Sequence, residues 1–292
     1  MTEVSRRGIA LGATLAAAGT AALIASRPAA AQQGKSTWQN IADTKTLRLG
    51  APISEPFVFK DLTNSPAPGA VKIGDTTWRG FSVNCAKEMA EALGVELQMV
   101  DTTYGNAIAG LQANQFDLIF ALDGTVKRAA AVDFVPQPLF MYGTAILAKT
   151  GADIATWDAI NTKKLKIGVP VGTTMETELM RRAPSAQLDR FQNINEMIAA
   201  FQAGRVEAIS SSLTGMTLAS GRIPGTIVAM PNPPALFPMT AAIRQELDPR
   251  WRNFLATSFG YFAYSGFVQN ALNQAYTFRG VDITKVQAVV IR

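Results

Sequence analysis

Two short stretches carry the residue types that grip an acid. The first is Asp123, Gly124, Thr125 and Arg128, which follow an apolar run at 116–122. A strand end that turns through glycine and a hydroxyl residue, with a guanidinium a few positions on, suits an anion. Main-chain N–H groups and the Thr125 hydroxyl donate, while the Arg128 fork closes on a carboxylate. The same residues also suit a surface helix on which Thr125 caps and Arg128 is merely ion-paired. The second stretch runs from Gly168 to Gly172, Thr173 and Thr174. Free N–H groups at the start of a helix there again favour negative charge, although an ordinary threonine cap accounts for them equally well. Neither a phosphate loop nor a GxGxxG pattern is present, so nucleotide binding has no support.

Other chemistries are excluded by composition. The 292 residues contain no histidine. That removes imidazole-based nucleophile activation, His-ligated zinc and histidine proton shuttling. The one cysteine, Cys85, excludes an intrachain disulfide and a thiolate cage. It falls on the apolar side of a predicted helix and reads as a buried, inert thiol. No metal or other cofactor is implied.

The N-terminus reads as an address. Ser5, Arg6 and Arg7 precede an Ala/Gly/Leu-rich stretch, and Ala29, Ala30 and Ala31 offer a small-residue exit. This is the pattern of a bacterial export signal, with adjacent arginines pointing to the twin-arginine route. Cleavage after about Ala31 would place the protein in the periplasm. Loss of residues 1–31 removes three arginines and one glutamate, leaving 24 positive and 21 negative charges, a net of +3. A surplus so small and dispersed does not suit nucleic acid.

Strand-like and helix-like segments then alternate. Short apolar strands are expected at 47–51, 95–101 and 116–122, with a long loop holding a small hairpin at 52–80. Val83, Ala86, Met89, Ala90 and Leu93 recur at helical spacing, with Gly94 as a stop. A second set begins after 140–149: strands at 165–169, 207–210 and 227–230, and helices from Thr174 to about Arg182 and around Met197. Residues 247–276 read as helical with a break at Ser265 and Gly266. This order implies an α/β protein of two lobes, each a mostly parallel sheet flanked by helices. Small ligands of such sheets sit beyond the carboxyl ends of the strands. The expected lobes are 46–146 plus 242–285, and 147–241, with hinge strands near 145–149 and 239–243.

The residues from Gly80 and Phe81 through Gly94 and Val95, then Ile108 to Gln112, Phe116 to Ile119, and Arg128 to Phe134, resemble the extracytoplasmic polar amino-acid-binding proteins of bacterial ABC importers, solute-binding family 3. Lys166 to Val169, Gly172 to Thr174 and Ala203 to Ala208 continue the likeness. It implies the type II periplasmic-binding fold, hinged closure over one small carboxylate-bearing ligand, delivery to a membrane permease, and a monomer. By position, the resemblance gives Arg128 the ligand carboxylate and sets Thr125 beside it. Thr174 and the Gly172 backbone make the contacts from the second lobe, and Tyr104 forms an aromatic wall.

Two departures are plain. Ser212 stands where the family places an acid for the ligand ammonium, and Ser54 and Glu55 stand where an aromatic is expected before Pro56 and Phe57. A serine does not neutralise a buried ammonium. Either Asp123 or Glu55 supplies the missing charge, or the ligand has no free amine. A dehydratase-like enzyme on the same scaffold would need a general acid such as Glu176, Glu178 or Asp123, and a periplasmic sensor domain is a third use of the fold.

Overall fold

The computed structural model describes residues 35–286. The export signal expected at 1–31 lies outside the described residues. Helix α1 (Thr37–Thr44) leads into β1 (Thr46–Pro52), followed by a small antiparallel sheet of β2 (Phe59–Asp61), β3 (Val71–Ile73) and β4 (Thr76–Arg79). Then come α2 (Phe81–Leu93), β5 (Glu96–Thr102), α3 (Ala107–Gln112), β6 (Leu118–Phe120), α4 (Val126–Ala129) and β7 (Asp133–Phe134). The middle of the chain forms β8 (Phe140–Lys149), α5 (Trp157–Thr162), β9 (Lys166–Pro170), α6 (Thr174–Arg182), β10 (Gln187–Phe191), α7 (Ile194–Gln202), β11 (Ala208–Ser212), α8 (Leu213–Arg222), β12 (Thr226–Ala229) and β13 (Leu236–Met239). It returns through β14 (Ala241–Ile243) to α9 (Arg250–Tyr264) and α10 (Phe267–Phe278).

The first sheet has the order β5-β1-β6-β14-β7 and the second β10-β9-β11-β8-β12. In each, the three strands that alternate with helices run parallel, and the strands near the crossings add antiparallel pairs. Helix α2 forms as its periodicity requires. Val83, Cys85, Ala86, Met89 and Ala90 are buried, and Gly94 ends the helix at φ 64, its N–H donating to the carbonyls of Ala90 and Glu91. Each large apolar side chain so buried contributes about 1.5–3 kcal/mol. Phe81 carries packing across the molecule, its ring meeting Phe57, Phe120 and Phe140 edge-on.

Two expectations change. Strand β8 lies wholly in the second sheet, pairing with β11, β12 and β13 along its length. The division expected after residue 146, and the hinge expected at 145–149, therefore fall inside a sheet. The chain crosses earlier, at 135–139, and returns at Met239 and Thr240. These crossings are tied together: the Val135 N–H donates to Ala241, the Leu139 N–H to Met239, and the Thr240 hydroxyl to the Val135 carbonyl at 2.6 Å. A continuous apolar run reads alike as a crossing or as a buried strand. The second change is at β6, which stops at Phe120. Ala121 takes a left-handed φ of 58, a conformation that a residue with a Cβ adopts at a cost. That turn carries Leu122 and Asp123 off the sheet and into the cleft.

Candidate functional site

Both turns singled out from the sequence reach one cavity between the two sheets, with about 360 Å³ of empty space including its mouth. Asp123 and Arg128 line it from the β6–α4 turn. Ser54, Phe57 and Tyr104 enter from other loops of the first lobe, and Thr173, Met175, Ser211 and Ser212 from the second.

Arg128 is half-buried and turns inward. Its Nη1 donates to the Asp123 carbonyl at 2.8 Å and its Nη2 crosses the cleft to the Gly172 carbonyl at 2.7 Å. Burial pulls its pKa down, opposed by the nearby Asp123 charge. Thr125 stays one step behind: its hydroxyl caps α4 by accepting the Arg128 N–H at 3.2 Å, and it does not line the cavity. The cap and the inward guanidinium coexist, so the two alternatives read from spacing are both realised.

On the opposite wall, Thr173 caps α6 by accepting the Glu176 N–H at 3.3 Å, and donates to Pro170 at 2.8 Å. Gly172 holds φ +74, and a Cβ there would sit 3.0 Å from Gly105 Cα of the first lobe. Only glycine lets the lobes approach so closely without strain. The Gly172 N–H expected to face the ligand is instead taken by Glu176 Oε2 at 2.8 Å, so only its carbonyl is turned to the site. Thr174 donates its hydroxyl across the cleft to Asp123 Oδ2.

Asp123 is the hub. Tyr142 donates to its Oδ1 while Thr174 holds Oδ2. Burial raises its carboxyl above the usual aspartate value, against the pull of those two bonds and of Arg128. Burial likewise pushes Tyr104 up, and Tyr142 well up with the Asp123 charge adding to it. Tyr142, Met175 and Ser211 were not foreseen. Tyr142 sits in the apolar run of β8, where nothing in the local pattern separates a site phenol from a core ring.

Glu55 departs from its expected place. It turns away from the cavity to pair with Arg279, and with Arg222 at 3.1 Å. Arg222 ends α8 of the second lobe while Arg279 follows α10 of the first, so the glutamate ties the lobes outside the site. The Tyr276 hydroxyl adds a buried bond to the Thr214 carbonyl at 3.0 Å. Glu55→Gln is expected to cost about 2 kcal/mol, lowering the melting temperature of the ligand-free protein by roughly 4–8 °C in calorimetry. Glu176 and Glu178 are also committed elsewhere, Glu176 to Arg190 and Glu178 to Arg181 and Arg182. Ser212 does line the cavity, but its hydroxyl caps α8, accepting the Gly215 N–H at 3.1 Å and lying 3.1 Å from the Thr214 hydroxyl.

Among the described residues no cluster of His, Cys, Asp and Glu could hold a metal ion, and no helix is long and apolar enough to cross a membrane.

Comparison with known proteins agrees with this architecture. The ABC transporter glutamine-binding protein GlnH of Bacillus subtilis is 27% identical over 162 residues, 54% of this chain and 59% of that protein. The general L-amino acid-binding periplasmic protein AapJ of Rhizobium johnstonii is 27% identical over 204 residues, 65% of this chain and 57% of that protein. The chain thus spans somewhat under three-fifths of these relatives' length. Among solved structures, an arginine-bound amino acid ABC transporter substrate-binding protein from Streptococcus pneumoniae has TM-score 0.71 at 20% identity, covering 83% of this chain and 98% of that one, a likeness of fold. The ancestral amino acid-binding protein AncCDT-1, a precursor of cyclohexadienyl dehydratase, has TM-score 0.66 at 26% identity, covering 84% and 99%. The profile of bacterial extracellular solute-binding proteins, family 3, matches residues 62–215, and the chain belongs to that family.

Proposed function

We propose that this protein captures a small carboxylate-bearing solute, an amino acid or a related compound, between its lobes and hands it to the permease of an ABC importer. It would act as a monomer in the periplasm after loss of the segment ending near Ala31. One observation carries the reading. The Arg128 guanidinium lines the cleft and spends its donors on two main-chain carbonyls, one from each lobe. Carbonyls satisfy its hydrogen-bonding but not its charge, and a ligand carboxylate would do both. Thr173 and Ser54 add donors, and Tyr104 and Phe57 supply apolar cover that strengthens charged contacts.

Binding rather than catalysis is supported by the carboxylates. Glu176 and Glu178 are ion-paired away from the cavity, which leaves Asp123 as the one candidate acid lining it. The test is a thermal-shift screen with amino acids and with simple and aromatic carboxylates, run beside ultraviolet assays with prephenate and arogenate. Stabilisation by a subset of acids without turnover is the expected result. Turnover of either compound would move the protein to the dehydratase class, and a flat screen would remove the carboxylate reading.

A further inference from the structure

One cation and one carboxylate line the cleft cavity, Arg128 and Asp123. The carboxylate is only 4% exposed, and both hydroxyls that hold it, from Tyr142 and Thr174, are neutral. Hydrogen bonds orient a buried carboxylate but do not cancel its charge, which stays costly without a cationic partner. Arg128 does not fill that role directly, since it meets Asp123 through the main-chain carbonyl. Each Asp123 oxygen accepts one of those hydroxyl bonds and has capacity for a second. The rings of Phe57, Tyr104 and Tyr142 border the same space, and aromatic faces attract cations. The other candidates for the missing negative charge are spent: Glu55 on two arginines, and Ser212, uncharged, on its helix cap.

We infer that the solute carries a cationic group besides its acid, and that Asp123, rather than Glu55 or Ser212, receives that group, with Tyr142 as the positioning residue. The inference rests on the carboxylate-binding reading above and sharpens it to zwitterions. The ligand would lie with its acid toward Arg128 and its ammonium toward Asp123, completing two half-satisfied charges in one step. Once both are paired, an analogue lacking the amine would leave Asp123 alone in a site built for two charges, and such sites discriminate strongly.

The test uses matched pairs that differ only in the amine: L-leucine with 4-methylpentanoate, L-phenylalanine with 3-phenylpropanoate, and L-glutamine with its deaminated analogue, 5-amino-5-oxopentanoate. Isothermal calorimetry on the wild-type protein should show the amino form of the best pair binding at least about 100-fold tighter. In Asp123→Asn that ratio should fall below about tenfold, and in Tyr142→Phe it should fall between the two. A merely structural role for Tyr142 would weaken both members of a pair alike and leave the ratio unmoved, overturning its assignment. Equal binding of both members by the wild type overturns the inference while leaving the carboxylate reading intact. Binding of no member of any pair overturns both. The wild-type ratio decides the matter even if a variant fails to fold.

Discussion

Arg128→Ala should abolish ligand-induced thermal stabilisation while the free protein keeps its far-ultraviolet circular dichroism. The side chain leaves no core contact behind, because α4 is a four-residue helix with no buried residues. What is lost is the one guanidinium lining the cavity. Truncating one partner of a buried, hydrogen-bonded charge pair costs roughly 2–5 kcal/mol, about 30- to 4,000-fold in affinity. Arg128→Lys should recover only part of this, since an ammonium is a point charge and cannot fork onto both carboxylate oxygens. Calorimetric titration with the best acid from the screen measures both. An unchanged affinity in the alanine variant would remove Arg128 from the site.

The largest expected loss of stability lies elsewhere. Arg79, 1% exposed, closes the small sheet beneath the first lobe. Its Nε pairs with the buried Asp61 at 2.8 Å, its Nη1 donates to Ala67 and Pro68, and its Nη2 donates to Ser65 at 2.7 Å. The guanidinium also lies 3.9 Å from the Phe278 ring centre. Arg79→Met keeps the bulk but strands Asp61 and three carbonyls, a cost of roughly 3–5 kcal/mol. The melting temperature should fall by roughly 6–20 °C, whereas Arg181→Ala, which removes an exposed ion pair with Glu178, should shift it little. The same pair sets an acid limit. Asp61 is drawn down to about 2 by bonds from Thr63 and Arg79 that outweigh its burial. A carboxyl lowered by folding lends stability in full above its unfolded value near 4, and loses it as the pH falls through about 2. In Arg79→Met that part of the acid-unfolding curve should move to higher pH, which denaturation followed across pH 2–5 would reveal.

The features legible in the sequence are those whose signal is local. Gly94 and the apolar spacing of α2 fall within one helix, and the break before Gly266 is a single left-handed glycine at φ +79. Arg128 was accessible because its anchors, Thr125 and Asp123, lie within five residues of it. Glu55 was misplaced because its partners are 167 and 224 residues away, and adjacency to Pro56 and Phe57 says nothing about which way a side chain turns. Tyr142 was hidden for the opposite reason. Its neighbours in β8 are uniformly buried, so a phenol reaching Asp123 looks like one more ring in the core. Strand β10 and helix α8 passed unnoticed: β10 mixes charged and apolar residues at an edge, and α8 interrupts its pattern with Gly215 and Gly221.

Cys85 gives the fold a property that no function required. The thiol is fully enclosed in α2, and burial lifts its pKa well above the free value with Glu88 adding to the effect. Since alkylating reagents attack the thiolate, a maleimide meets nothing reactive until that helix comes away from its sheet. With a single sulfhydryl per molecule, the speed of labelling counts excursions of the first lobe out of its native state, and a bound solute should slow that count in proportion to its grip.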